Sequence, residues 1–184
     1  MRKVFCIVLT LAFAGPGVVM ANTGRFETDQ LTIRISARTP QQMAAFYEGR
    51  GFPREMIEAT RQACFFTVGI KNKSNTILWH DLDQWTFTAA SQPVQRFTRA
   101  YWKAKWQSLQ APLASQSTFR WTLMPEQLDF RPQEAEGGNI TLPRGPLVYD
   151  IKAVFQTGED KTGPIIKAVL TDIRCGEDTP GATQ

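Results

Sequence analysis

The sequence is poor in the side chains that most catalytic and metal sites require. Its 184 residues include one histidine, His80, and three cysteines. One imidazole is too few for a typical zinc site, and any Ser–His–Asp triad would have to use it. The sequence also has no CxxC pair, no GxSxG elbow and no glycine-rich phosphate loop. We therefore expect a protein that is not an enzyme and that holds no cofactor or metal, and we interpret His80, Asp81 and Asp83 as a polar bend between strands.

A strong excess of one charge is also absent. The chain has 21 basic and 17 acidic residues, a formal net charge of +4. Such a small imbalance argues against a dedicated nucleic-acid-binding protein. Beyond the first 21 residues, no apolar run is long enough to span a bilayer. We predict neither a nucleic-acid partner nor a membrane span.

Residues 1–21, MRKVFCIVLTLAFAGPGVVMA, have the features of a signal peptide. Arg2 and Lys3 form a basic start, and an apolar core follows over 4–14. Val19 and Ala21 then place small residues at the −3 and −1 positions of a cleavage site. A buried N-terminal strand would leave the basic pair unexplained. The pattern predicts export to the bacterial periplasm or beyond, and removal of this segment halves the net charge.

Only Cys64 and Cys175 remain after that cleavage, and two cysteines in an oxidising compartment usually form a disulfide. Cys64 begins the strand-like run 64–71, and Cys175 ends the strand-like run 164–175. If these strands are antiparallel neighbours, their cysteines lie within the ~4.4–6.8 Å between Cα atoms that a disulfide needs. A redox or metal-binding thiol is the alternative, but neither cysteine has a suitably spaced partner. We predict a Cys64–Cys175 disulfide between paired strands.

The segment 22–63 is predicted to carry a strand and a short helical hairpin packed on the rest of the chain. Residues 22–30 are polar and are expected to be loose, whereas LTIRIS (31–36) alternates apolar and polar residues as a half-buried strand does. Thr39 and Gln42 can form a capping box around Pro40, which suits the first position of a helix. Pro53 is expected to open a second helix that continues toward residue 63.

Residues 64–176 are dominated by strand-like segments separated by turn residues. Their number and spacing predict an antiparallel sandwich, and this pattern resembles the immunoglobulin-type sandwich. The predicted fold is therefore mainly β, an antiparallel immunoglobulin-like β-sandwich with a short N-terminal helical hairpin, followed by a disordered tail at 177–184. The strands are predicted at 64–71, 75–79, 84–89, 118–124, 139–142, 146–157 and 164–175.

The segment 96–109, RFTRAYWKAKWQSL, fits either a helix or a strand. We favour a helix because Ala, Lys, Gln and Leu suit one and Pro112 would end it. Its aromatic and basic side chains could form a surface that grips a ligand by stacking and cation–π contacts. Alternatively, its two tryptophans are buried and cover the open end of the sandwich. The candidate ligand or partner site consists of Arg96, Arg99, Trp102, Lys103 and Trp106.

Two functional hypotheses follow from these features. The first is an exported, non-catalytic accessory module that binds a protein partner in a bacterial envelope complex. The second is a module that binds a glycan or another anionic polymer through the residues of 96–109. Trp121, which alternates with Phe119 and Leu123, is expected to belong to the core in both.

Overall fold

The computed structural model describes residues 23–146 and 148–178. The predicted signal peptide and the part of the predicted tail beyond Asp178 lie outside these residues. The α-helices are α1 (Pro40–Glu48), α2 (Arg54–Thr60), α3 (Arg99–Ser108) and α4 (Leu113–Thr122), with a 3₁₀ helix at Leu82–Gln84. None of these helices has the length and hydropathy needed to cross a membrane. The strands are β1 (Thr23–Glu27), β2 (Leu31–Arg38), β3 (Ala63–Asn72), β4 (Leu78–Asp81), β5 (Thr86–Ala89), β6 (Gln92–Pro93), β7 (Gln127–Phe130), β8 (Ala135–Pro143), β9 (Val148–Thr157) and β10 (Ile166–Arg174).

The first sheet is antiparallel and has the order β1-β2-β3-β8. The alternation in 31–36 is confirmed, since Leu31, Ile33 and Ile35 are fully buried. The expectation that 22–30 is loose was wrong, because β1 pairs with β2 over its whole length. Gly24 allows β1 to approach β10 closely, since a Cβ at this position would lie 2.5 Å from Cδ1 of Ile173.

The second sheet is built around β9. One edge of β9 pairs with β10, and the other edge pairs with β5 and β4 at successive positions along the strand. β6 and β7 extend this sheet beyond β5 and β4. The two sheets enclose one apolar core, which includes Phe66, Val68, Ile151 and Phe155. Burial of each such side chain contributes about 1.5–3 kcal/mol relative to exposure. The mainly β, antiparallel, two-sheet architecture is therefore confirmed.

The disulfide between Cys64 and Cys175 is present, with 5.3 Å between the Cα atoms. The predicted pairing of its strands was wrong. β3 lies in the first sheet between β2 and β8, whereas β10 lies in the second sheet beside β9. The sulfur bridge therefore joins the two sheets across the core, because facing strands of a sandwich can bring two cysteines as close as neighbouring strands can.

A helical layer covers part of the outer face of the first sheet. Phe65 of β3 faces this layer, while its neighbours Cys64 and Phe66 face the sandwich interior. The capping box at α1 is confirmed: Thr39 Oγ1 accepts from the backbone N–H of Gln42 at 3.1 Å, and Gln42 Oε1 accepts from the N–H of Thr39 at 3.1 Å. The second core lies between these helices and β3, and includes Met43, Tyr47, Met56, Trp102, Trp106 and Phe119.

The predicted strand at 118–124 was wrong, because α4 occupies 113–122. The alternation of Phe119, Trp121 and Leu123 fits a strand, but Phe119 and Leu123 are also four residues apart and share one face of a helix. That face is buried, at 1% and 5% exposure, and Trp121 lies away from it with 83% of its surface exposed. Trp121 therefore does not belong to the core.

Candidate functional site

Helix α3 supplies most of the predicted site residues. Thr98 caps it by accepting from the N–H of Tyr101 at 3.1 Å, and the helical interpretation of 96–109 is confirmed over 99–108. Trp102 and Trp106 lie one turn apart, and their rings stack with centroids 5.0 Å apart. Both are only 2% exposed, so of the two interpretations of these rings burial is confirmed and an exposed stacking surface is wrong. The rings cover the outer face of the first sheet and not the open end of the sandwich.

Helix α4 packs against α3 through Phe119. The Phe119 ring centroid lies 5.0 Å from that of Trp102 and 4.8 Å from that of Trp106. Each aromatic pair of this kind adds about 0.5–1.5 kcal/mol beyond the burial of its area. The aromatic contact fixes the spacing of the two helices and leaves a groove between them.

We call this cavity the α3–α4 groove; its volume is about 460 Å³. Four of the five predicted site residues line it, and the fifth, Arg96, does not. Arg120 from α4 adds a third cation beside Arg99 and Lys103, and within the described ranges no acidic residue belongs to the lining. The lining consists of Arg99, Ala100, Trp102, Lys103, Trp106, Gln116, Ser117, Phe119, Arg120 and Leu123.

Arg99 is the most constrained cation of the groove. Its Nη2 donates to the carbonyl oxygen of Leu123 at 2.9 Å, whereas its Nε is buried without a hydrogen-bond partner. Burial and the nearby charge of Arg120 lower the pKa of the Arg99 guanidinium, and Glu126 opposes this shift. Among the described residues, neither the Nε of Arg99 nor the Nε1 of Trp106, which is also buried, has a hydrogen-bond partner. The groove thus combines crowded positive charge with buried aromatic rings.

Arg96 lies in a separate ion-pair network. Its guanidinium donates to Asp83 Oδ1 at 2.6 Å and also to Glu126, and its side chain is 10% exposed. Burial would raise the pKa of Glu126, but hydrogen bonds from Arg96 and from the backbone N–H of Arg99 outweigh it and lower that pKa. Arg96 therefore stabilises the start of α3 and is not brought to the groove.

The sequence interpretation missed the residues that α4 contributes to the groove: Gln116, Ser117 and Arg120. They were hidden because 118–124 was assigned to a strand, which puts Arg120 on the face opposite the aromatic side chains. The four-residue spacing of Phe119 and Leu123, after Pro112, is the signal that would have predicted the helix.

His80 lies inside the sandwich, so its assignment to a polar bend was wrong. It is part of β4 and is 2% exposed, and the bend is made by the following 3₁₀ helix. Its Nε2 contacts the carbonyl oxygen of Pro125 at 3.1 Å. Burial lowers the pKa of His80 to about 4, so the ring is neutral at physiological pH. In the part of the chain that the structure describes, no three His, Cys, Asp or Glu side chains converge as metal ligands.

The chain matches no protein-family model and no curated protein sequence. Among solved structures it is similar to a candidate lipoprotein, ycdA, from Bacillus subtilis, with 10% sequence identity and a TM-score of 0.43. The similarity covers 80% of this chain and 38% of the other. Because this score is low, no property of that protein is transferred to this chain.

Proposed function

We propose that this chain is an exported, non-catalytic binding module of the bacterial envelope whose α3–α4 groove holds the anionic groups of a polymer. The observation that carries the proposal is the convergence of Arg99, Lys103 and Arg120 on a groove to whose lining the described residues contribute no acidic side chain. Like charges that lie close together repel one another, so an anion bound between these three cations reduces the repulsion that is present in the free protein.

The exposed side chains of Lys103 and Arg120 support the same ligand class. Their charged N–H groups line the groove, and an anionic oxygen is the acceptor that forms the strongest hydrogen bonds with such groups. Each hydrogen bond to a charged group contributes about 1.5–3 kcal/mol. The groove volume of about 460 Å³ lies in the range of small-ligand sites, enough for one acidic unit of a polymer.

Calorimetric titration of the mature protein with polyphosphate and polyglutamate tests this proposal. Lys103→Gln and Arg120→Gln should each weaken binding about tenfold, since each removes a charge-assisted contact. Lys105→Gln is the matched control, because Lys105 lies on the same helix, is exposed and does not line the groove. Equal losses for Lys103→Gln and Lys105→Gln, or no binding by the unaltered protein, would contradict the proposal.

A protein partner is the second candidate function. The observation that favours it is the exposure of Ile165 and Val169, at 57% and 50%, along the edge strand β10 and the residue just before it. Exposed apolar residues on a sheet edge are suited to pairing with another chain. Affinity capture with the unaltered protein and with Val169→Glu tests this: a partner lost only with the variant supports it, and equal capture contradicts it.

Export and the immunoglobulin-like character of the sandwich are also parts of this proposal. The basic-apolar-small pattern of 1–21 supports export, and the disulfide fits an oxidising compartment. The two packed antiparallel sheets support the immunoglobulin-like comparison. After cell fractionation, the protein should be found in the periplasm with its N-terminus at Asn22, whereas protein retained in the cytoplasm with its N-terminus at Met1 would contradict export.

A further inference from the structure

The outer face of the first sheet is only half covered by helices. Phe65 of β3 and Thr141 of β8 lie beneath the helical layer and are each 1% exposed. Farther along the same strands, Gly69 pairs with Gly137, and an open cavity of about 880 Å³ lies over this pair and over Thr67. The sheet therefore presents a broad uncovered surface beside the helices.

Gly69 is a glycine that the fold does not require. It lies in the interior of β3, its strand register is continuous on both sides, and a Cβ added to it would meet no atom within 4 Å. Gly137 differs, since its Cβ would lie 2.7 Å from the carbonyl oxygen of Val68. A glycine in a strand interior is less stable than alanine and often marks the close approach of a ligand. The missing side chain keeps the floor of the cavity flat.

The exposed Trp121 borders this floor. With Arg38, Gln42 and Phe46 it lines a second cavity, of about 600 Å³, at the edge of the helical layer. The two cavities share residues and together form one surface, which we call the trough. The shared residues are Thr67, Gly137 and Gly138.

We infer that the trough binds an extended acidic polysaccharide, with Trp121 stacking on one sugar ring. An aromatic ring that is 83% exposed offers a flat apolar face, and apolar faces of sugar rings pack on such surfaces. Arg38 and Gln42 are planar hydrogen-bonding side chains of a kind that fits sugar hydroxyl groups.

The charge of the trough favours acidic sugars. Four cations line it, against two carboxylates. One of the carboxylates, Glu27, pairs with Lys73, which is one of the four cations, and with Arg25, which does not line the trough. Three cations and one carboxylate of the described lining then remain, and this excess of positive charge complements an acidic chain. The cations are Arg34, Arg38, Lys71 and Lys73.

A peptide strand fits this floor less well. In the described residues the backbone groups of β3 pair with β2 on one side and with β8 on the other, so a peptide that lies over the centre of the floor meets no free main-chain groups of β3. An added strand would pair at β8, the edge of the sheet, and not over the floor. The site is also separate from the α3–α4 groove, since Arg120 lines the groove and Trp121 lines the trough. The inference therefore stands independently of the proposed function.

Titration of the mature protein with defined hexasaccharides tests this inference. The probes are β-1,4-linked hexamers of mannuronate, glucose and N-acetylglucosamine. Their binding is measured by calorimetry and by tryptophan emission. We expect the mannuronate hexamer to bind most tightly and to shift the emission of the exposed Trp121. Trp121→Ala should weaken binding about tenfold or more, as the loss of a central aromatic contact does.

Gly69→Val separates a binding role from a folding role. Valine favours strands and has space here, so the variant should be at least as stable as the unaltered protein while its side chain blocks the trough. Leu113→Ala is the control, because Leu113 is 82% exposed on the same helix as Trp121 and does not line the trough. It should bind normally.

Several results would overturn the inference. These are no binding of any hexamer, equal affinity for the acidic and the neutral hexamers, or unchanged binding by Gly69→Val. Binding of an extended peptide that Trp121→Ala abolishes, with no hexamer bound, would assign the trough to a protein partner. Trp121-dependent dimerisation in ultracentrifugation, again without hexamer binding, would assign it to a second copy of the chain.

Discussion

Acid should destabilise this protein through one identifiable group. His80, the only histidine of the sequence, is 2% exposed and is surrounded by the rings of Trp85, Phe130 and Phe155. Burial is the main reason that its pKa falls to about 4. The nearby charge of Arg96 lowers the pKa further, whereas the Pro125 carbonyl, Asp81 and Glu126 oppose the fall. Protonation therefore costs more in the folded chain than in the unfolded chain.

The magnitude follows from the difference between the two pKa values. The pKa of a histidine in an unfolded chain is about 6.5, and each unit of difference in pKa corresponds to about 1.4 kcal/mol. With a folded pKa of about 4, the unfolded chain binds the proton first as the pH falls. The contribution of His80 to the free energy of unfolding is fully present above about pH 6.5, and roughly 3 kcal/mol of this contribution is lost by about pH 4.

Urea unfolding across this pH range is the assay, with His80→Gln as the variant. Glutamine does not titrate and can still donate to the carbonyl oxygen of Pro125, so the variant should lose much less stability between about pH 6.5 and 4. The single imidazole can also be followed by NMR in the folded protein. An imidazole that titrates near about 6.5, or a variant with an unchanged pH dependence, would refute this reasoning.

Three further predictions concern stability. Cys64→Ala with Cys175→Ala should lower the free energy of unfolding by about 4–5 kcal/mol, since the bridge closes a loop with a sequence separation of 111; an unchanged urea midpoint would contradict this. Phe119→Ala should cost about 3–5 kcal/mol in the same assay, and a loss below about 1 kcal/mol would show that the second core does not depend on it. Glu126→Gln should be less stable at neutral pH by about 1–3 kcal/mol because Arg96 loses one of its two carboxylate partners and keeps Asp83. Because folding lowers the pKa of the Glu126 carboxyl, its contribution to the free energy of unfolding is present above about pH 4.3 and is lost as the pH falls below that value. The stability of Glu126→Gln should therefore depend less on pH in this range. Parallel curves of stability against pH for the two proteins would contradict this prediction.

Local patterns predicted much of the fold. The alternation in 31–36 identified a strand because one face of the first sheet is fully buried, and Thr39 with Gln42 identified the start of α1 because both capping bonds form. The cysteine count identified the disulfide. The strand and the helix cap depend on residues that are close in the sequence, and the disulfide depends on there being only two cysteines to pair. A single sequence shows both kinds of information.

Long-range arrangement was not predictable in the same way. Nothing in the sequence around Cys64 and Cys175 distinguishes neighbouring strands from strands that face one another in two sheets. β1 was missed because its sequence is polar and it is held by pairing with β2 and by contact of Gly24 with β10. Tertiary contacts of this kind decide the structure of segments with weak local signals.

For the candidate site as well, local patterns were predictable from the sequence and long-range contacts were not. Sequence reasoning selected Arg99, Trp102, Lys103 and Trp106, and the structure brings these four to one groove. It left both exposed and buried positions open for the two tryptophans, because the sequence of an amphipathic helix does not show which element covers its apolar face. The covering element is α4, whose aromatic spacing fits either a strand or a helix.

The indole N–H signals of the tryptophans provide the most direct measurement of ligand binding in the α3–α4 groove. All five tryptophans of the sequence lie in the described residues, and Trp102 and Trp106 both line the groove. The Nε1 of Trp102 donates to Thr141, whereas the buried Nε1 of Trp106 has no hydrogen-bond partner among the described residues. In ¹⁵N–¹H spectra recorded during addition of polyphosphate, we predict a saturable shift of the Trp106 indole signal, with Trp121 unchanged. A Trp106 signal that stays fixed while polyphosphate binds elsewhere would contradict the account.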